Sequence, residues 1–199
     1  RAYSAYAARR GVQPTLSFKH LLTRFTFKIV AGSASANDIS VDKISLESKT
    51  SGNIVVVGGE RGLANIDETT AELFLQQRGA NDSMEAFTPV KTEEWVEDRS
   101  NAVSVGESLM VIPAEDYLLT IYMSKDGSAT EVKPTTTSLN ITKVTDAPEG
   151  ATAFEAGYSY EVTAVIYGLE KVEITAALEP WKDGGHATID PDEEWAESL

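Results

Sequence analysis

The stretch Tyr158-Ser159-Tyr160-Glu161-Val162-Thr163-Ala164-Val165-Ile166-Tyr167 decides the fold class. Tyr158, Tyr160, Val162, Ala164 and Ile166 recur at every second position, which is the period of an extended chain with one face buried. After a turn at Gly168 the alternation resumes with Val172, Ile174, Ala176 and Leu178. Two adjacent runs of the same period predict a β-hairpin whose strands share a buried face.

The same reading extends upstream. In Tyr117-Leu118-Leu119-Thr120-Ile121-Tyr122-Met123 both faces carry apolar side chains, which predicts a central strand covered on each side. Asp126-Gly127 then supplies the positive-φ chemistry of a tight hairpin turn, with a return strand over 129–133 that Pro134 stops. In Leu16-Ser17-Phe18-Lys19-His20-Leu21-Leu22-Thr23-Arg24-Phe25-Thr26-Phe27-Lys28-Ile29 the apolar phase changes: Leu16, Phe18, His20 and Leu22 hold one face, Phe25, Phe27 and Ile29 the other. One extra residue restores register, so a long bent strand with a β-bulge at Thr23-Arg24 is predicted. A similar slip separates Ile39 and Val41 from Ile44 and Leu46. Further strands are expected at 54–57, 73–76, 103–112 and 139–144.

Helix signals are few. Residues 92–98 read as one or two turns or as an acidic loop. Asp190-Pro191-Asp192-Glu193 offers an N-cap acid, Pro at N1 and Glu at N3, which predicts a short terminal helix. Gly-, Ser- and Asn-rich segments at 32–38, 49–53 and 79–83 separate the strands as surface loops. The expected fold is an all-β sandwich with long bent strands and at most short helices. Residues 1–14 form a leading segment, 15–185 the sandwich and 186–199 an acidic tail.

Composition narrows function. The chain has 199 residues, 17 basic against 31 acidic, and a formal charge of −14, which repels phosphate backbones and anionic lipid. Nucleic acid is not an expected partner. The absence of cysteine removes disulfides, thiolate metal sites and a Cys nucleophile. The aliphatic runs Ile54-Val55-Val56-Val57 and Leu109-Met110-Val111-Ile112 fall far short of the ~20 residues of a spanning helix. Arg1-Ala2-Tyr3-Ser4 reads as the interior of a longer precursor or as a processed product.

The search for chemistry finds little. His20 falls in the apolar phase of its strand and reads as a core or inter-sheet histidine; His186, in Gly184-Gly185-His186, reads as a solvated spacer. No G-x-S-x-G elbow is present, and no acid stands in an apolar run that would raise its pKa. Gly58-Gly59-Glu60-Arg61-Gly62 lacks the phosphate-loop lysine and spacing and reads as a turn. The acids of 190–193 lack EF-hand spacing and read as a solvated cluster rather than a calcium site. Trp95, Trp181 and Trp195 leave two readings open: plugs at the end of a sandwich, or flat faces for a sugar ring, with Trp95 the candidate glycan contact. No enzyme activity and no cofactor are expected.

Four segments, in order, resemble the fimbrillin family of Bacteroidetes, including its Mfa-like group of type V pilins. The 16–27 segment is similar to the family's F-x-H-x-hydrophobic strand, through Phe18 and His20. Leu109-Met110-Val111-Ile112-Pro113-Ala114 resembles its apolar strand ending in I/V-P-[QA]. Phe154-Glu155-Ala156-Gly157-Tyr158-Ser159-Tyr160 resembles its F-x-x-G-x-x-Y lead into a long strand, where Gly157 permits a bend. Residues 172–185, with Trp181, resemble its near-terminal strand ending in W-x-x-G.

The resemblance implies a structural or adhesive subunit of surface fimbriae, exported as a lipoprotein to the outer membrane. It further implies two transthyretin-like sandwich domains and assembly by lending a strand to a neighbour, with other fimbrial subunits, and host proteins or glycans, as partners. Phe18, His20, Pro113, Gly157, Tyr160 and Trp181 are then structural motif residues. Residues 15–185 correspond to the carboxy-terminal portion of such a subunit, because the family carries a whole portion before its F-x-H segment. Arg9-Arg10 does not match the family's processing site, and with no lipobox cysteine present any membrane contact is through an anchor outside these residues. Asp82-Ser83-Met84 has the form of the O-glycosylation acceptor of that phylum, at Ser83.

Overall fold

The computed structural model describes residues 19–56, 61–125 and 132–179. From His20 onward they belong to one unit, His20–Trp181. Phe18, Trp181, Trp195, His186, the Asp126-Gly127 turn, Gly58-Gly59-Glu60, the expected terminal helix and the 1–14 and 186–199 segments lie outside the described residues.

The described strands are β1 (Thr23–Ala31), β2 (Ile39–Lys49), β3 (Asn53–Val55), β4 (Gly62–Ala64), β5 (Thr70–Phe74), β6 (Gln76–Arg78) and β7 (Met84–Ala86). They continue with β8 (Val90–Lys91), β9 (Val103–Val111), β10 (Asp116–Lys125), β11 (Lys133–Asn140), β12 (Val144–Thr145), β13 (Ser159–Gly168) and β14 (Lys171–Glu179). Among the described residues helical structure is confined to single 3-10 turns at Ala34–Ala36, Ala80–Asp82 and Ile141–Lys143.

Two five-stranded layers enclose the core, and the molecule is an all-β sandwich. One sheet runs β12-β14-β13-β1-β9; the other runs β11-β10-β2-β5, with β8 also paired to β2. The first is mixed, because β1 lies parallel to β13 and antiparallel to β9. Inward side chains of both sheets, including Phe25, Ile29, Ile44, Leu46, Leu119, Ile121, Tyr160, Val162 and Ile166, form one apolar cluster. The deciding stretch behaves as its period requires: Tyr160, Val162, Ala164 and Ile166 are buried, and β13 pairs antiparallel with β14 across the Gly168 turn.

The slip between Val41 and Ile44 is a bulge at Asp42. Val41 faces Met123 and Lys43 faces Tyr122, so Asp42 is the extra residue, and Val41 and Ile44 both reach the core.

Several expectations need correction. Residues 19–22 are not strand; β1 begins at Thr23, and His20 is exposed rather than a core histidine. The change of apolar phase there reflects the chain leaving the sheet, not a kink within it. The irregularity of this ladder sits on β9 instead, where Phe25 faces Leu109 but Phe27 faces Val105, so two extra residues are taken up around Gly106. Pro134 does not stop a strand; it lies within β11 opposite Tyr122. Because β11 is an edge strand, a missing N–H there need not cost a ladder bond.

β10 is central between β11 and β2 but is not covered on both faces, since Leu118 is 46% exposed. Of the expected 54–57 strand, Ile54 and Val55 lie in β3, Val56 follows it and Val57 is outside the described residues; the run buries little, with Ile54 and Val56 exposed. The 139–144 run divides into the end of β11, a 3-10 turn and the start of β12. Residues 92–98 form no helix; they are a loop.

Candidate functional site

Three of the four motif segments converge at one end of the sandwich, where β1 and β13 begin and β9 ends. Phe25 of β1 stacks on Tyr160 of β13 with ring centroids 5.6 Å apart. Phe154 meets Phe25 and Tyr160 edge-on, at 5.2 and 4.9 Å. Tyr117, at the start of β10, meets Phe25 edge-on at 5.3 Å and Phe154 at 5.4 Å. All four rings are essentially buried. Such edge-on and stacked pairs each add about 0.5–1.5 kcal/mol beyond their area.

Backbone bonds tie the segments to this aromatic knot. The Tyr117 hydroxyl donates to the Ile112 carbonyl at 2.7 Å, fixing the chain just before Pro113. The Phe154 N–H donates to the Ala114 carbonyl at 2.9 Å, and the Thr23 hydroxyl to the Glu155 carbonyl at 2.9 Å. Gly157, at φ +86°, turns its N–H onto the Leu22 carbonyl at 3.0 Å. A left-handed φ is the reason glycine suits the F-x-x-G-x-x-Y segment. The fourth segment joins as β14, where Leu178 faces Tyr160. Burial pushes the Tyr117 phenol well above its ordinary ionisation range, and burial raises Tyr160 as well.

The knot brings Tyr160, Gly157 and the Pro113 turn together. His20 lies nearby along the chain, with its carbonyl 3.7 Å from where a Cβ on Gly157 would stand, but its side chain is not part of the core. Trp95 is distant from the knot in sequence and 40% exposed, with its backbone N–H donating to the Asn37 side-chain carbonyl at 2.9 Å. Ser83 is exposed beside a 3-10 turn; its hydroxyl donates to the Ala80 carbonyl at 2.8 Å and lies 2.9 Å from a Glu85 carboxylate oxygen. Sequence reasoning missed Phe25 and Tyr117 as members of the cluster, although their apolar phase was visible. Among the described residues no group of three metal-ligating side chains gathers. The chemistry of the knot is packing and hydrogen bonding.

Backbone edges are the other resource. Among the described residues β9 ends one sheet with no further strand hydrogen-bonded to it, although β6 lies against it, with Arg78 3.8 Å from Glu107, and at the other end β12 pairs only with Ala176 and Ala177 of β14. The first half of β14, from Lys171, therefore has an open outer edge among the described residues. Unpaired edge N–H and C=O groups are a template for another strand.

The sequence pattern of the fimbrillin-like family matches residues 6–181. No curated protein matches the chain significantly. Two solved structures are similar to it. One, described as a cell adhesion protein from Bacteroides uniformis ATCC 8492, is 20% identical with a TM-score of 0.47, over 82% of this chain and 52% of that one. The other, a fimbrial protein from Bacteroides vulgatus ATCC 8482, is 15% identical with a TM-score of 0.46, over 82% of this chain and 55% of that one. The chain thus spans about half the length of these solved proteins.

Proposed function

The chain belongs to the fimbrillin-like family, and from that premise we propose that it is a non-enzymatic structural or adhesive subunit of cell-surface fimbriae that joins its neighbours by β-strand complementation. The observation that carries the assembly reading is that, among the described residues, the first half of β14 has no strand paired to its outer edge and β9 has none hydrogen-bonded beyond it, with β6 packed alongside. An incoming strand there satisfies backbone groups and extends a sheet whose other face is already packed. The aromatic knot gives this role a rigid base, because it locks the ends of β1, β9 and β13 to one another.

On this reading the partners are other fimbrial subunits, with host proteins or glycans as targets, and the protein resides at the outer membrane through a lipid anchor outside these residues. Residues 15–185 serve as the carboxy-terminal sandwich of the subunit. Phe18, His20, Pro113, Gly157, Tyr160 and Trp181 are structural members of the family motifs. Ser83, on an exposed turn, is a candidate for O-glycosylation, which mass spectrometry of the surface protein would detect.

The test is assembly of the full-length exported protein. Immunogold labelling should decorate fimbriae, and hydrogen exchange at β9 or at residues 171–175 should slow in the polymer relative to the monomer. A protein that stays monomeric and never copurifies with fimbriae overturns the assembly reading.

A further inference from the structure

The hairpin of β6 and β7 is fastened to the sandwich at its base and hardly anywhere else. Leu75, just before it, and Phe87, just after it, are both buried in the apolar cluster. Between these anchors β6 and β7 pair with each other, Gln76 opposite Ala86 and Arg78 opposite Met84, and among the described residues join no other sheet. The hairpin is closed internally: the Gly79 N–H donates to the Ser83 carbonyl at 2.7 Å, and the Gln77 side chain bonds the Thr88 hydroxyl at 3.2 Å and the Thr88 N–H at 2.8 Å. Its own residues are mostly exposed. An element that is internally bonded but buries little apolar surface against the body can open at low free-energy cost.

Its position gives that looseness a consequence. β6 lies against β9, the end strand of the other sheet, without forming a ladder with it. The Gln76 carbonyl oxygen would stand 2.9 Å from a Cβ on Gly106, in the bulge of β9. The Arg78 guanidinium lies 3.8 Å from the Glu107 carboxylate, and both side chains are substantially exposed, so this tie is weak. The other ion pair of Arg78, with Asp82 at 3.1 Å, is internal to the hairpin and does not hold it to β9.

An end strand with unpaired N–H and C=O groups invites pairing with another chain, and bulges and covering segments are the usual protection. β9 has both, the bulge around Gly106 and the hairpin beside it. A second copy of the chain brings a matching unpaired edge, the outer side of residues 171–175. We propose that the β6–β7 hairpin is a guard on β9: closed, it keeps the strand of a second copy off this edge, and swung out about Leu75 and Phe87 it exposes the edge for pairing. This rests on the strand-pairing reading above and names what regulates one of its two edges.

The test exchanges charges across the weak tie. Arg78→Glu and Glu107→Arg each replace attraction by repulsion, one making the chain more acidic and the other less, and the double variant restores attraction with the signs reversed. NMR of the full chain reads the closed hairpin through NOEs between β6 and β9, sedimentation reads self-association, and melting curves confirm folding. Both single variants should lose the NOEs and associate about fivefold more tightly than wild type, with hydrogen exchange slowed at 103–111 in the associated form, and the double variant should move back toward wild type. Single variants that keep the NOEs, or lose them without associating, overturn the guard. So does association that slows exchange elsewhere and leaves β9 unchanged. Labelling of fimbriae with the wild-type protein remains a separate measurement: a chain that never enters fimbriae, but whose opened variants pair through β9, loses the assembly reading and keeps the guard.

Discussion

Tyr117 shows how much one side chain holds at the knot. Its ring packs edge-on against Phe25, and its hydroxyl reaches the Ile112 carbonyl at 2.7 Å. Burial raises its ionisation above the ordinary value of 10.0. In the unfolded chain the phenol ionises near pH ~10. The neutral, buried form therefore contributes fully below about pH 10, and that contribution is lost as pH rises toward the folded value. Urea unfolding should show stability that falls on the alkaline side above about pH 10. Tyr117→Phe should lose about 1 kcal/mol at neutral pH through the missing hydrogen bond, and its alkaline fall should be shallower. Tyr160, also raised, keeps some of the slope. An alkaline fall unchanged in Tyr117→Phe would place its source elsewhere. At this scale Tyr160 and Gly157 were legible, because a strand period and a glycine before it are local signals. His20 was misread for a physical reason: its apolar phase matched Phe18 and Leu22, but phase has meaning only inside a strand, and the chain at 19–22 is outside one.

At the scale of elements, bulges were partly legible. The phase slip in β2 located Asp42 correctly, since both flanking apolar sets had to reach one core. The same logic failed at Thr23-Arg24, where the chain reset its phase by leaving the sheet. The bulge in that ladder belongs to the facing strand, and its signal was Gly106 within the alternating run of β9. Gly106 sits at φ +61°, and a Cβ there would stand 2.5 Å from the Leu75 Cγ and 2.9 Å from the Gln76 carbonyl oxygen. Both backbone strain and collision oppose a side chain. Gly106→Ala should therefore destabilise by about 1–3 kcal/mol, read as a lower urea midpoint with an unchanged m-value. A midpoint equal to wild type would mean that β9 can flatten its bulge without cost. Pro134 carries a related lesson: proline ends a strand only where its N–H is required, and at the edge strand β11 it is not.

At the scale of the whole molecule, periodicity tells which face of a strand is buried but not which strand lies beside it. That β1 pairs in parallel with β13, residue 24 beside residue 159, follows from long-range packing of the two sheets and has no local sequence signal. Net charge, by contrast, is legible in full and bears on assembly. Two copies each carrying −14 repel at a distance. The range of that repulsion is about 30 Å at 0.01 M salt and about 8 Å at 0.15 M. Encounters between subunits must cross this barrier before edge strands can pair. The association rate of the exported protein, followed by light scattering, should therefore rise severalfold over that salt interval. The recess lined by Lys125, Lys133 and Lys171 also holds Asp38 and Glu170, with Lys133 3.4 Å from Glu170 and Lys171 3.9 Å from Glu173, so its charges are largely paired and it makes no basic patch. Steering by opposite charges is weakened by salt. A rate that falls as salt rises would thus mean that oppositely charged surfaces steer the encounter, and would overturn the repulsion account.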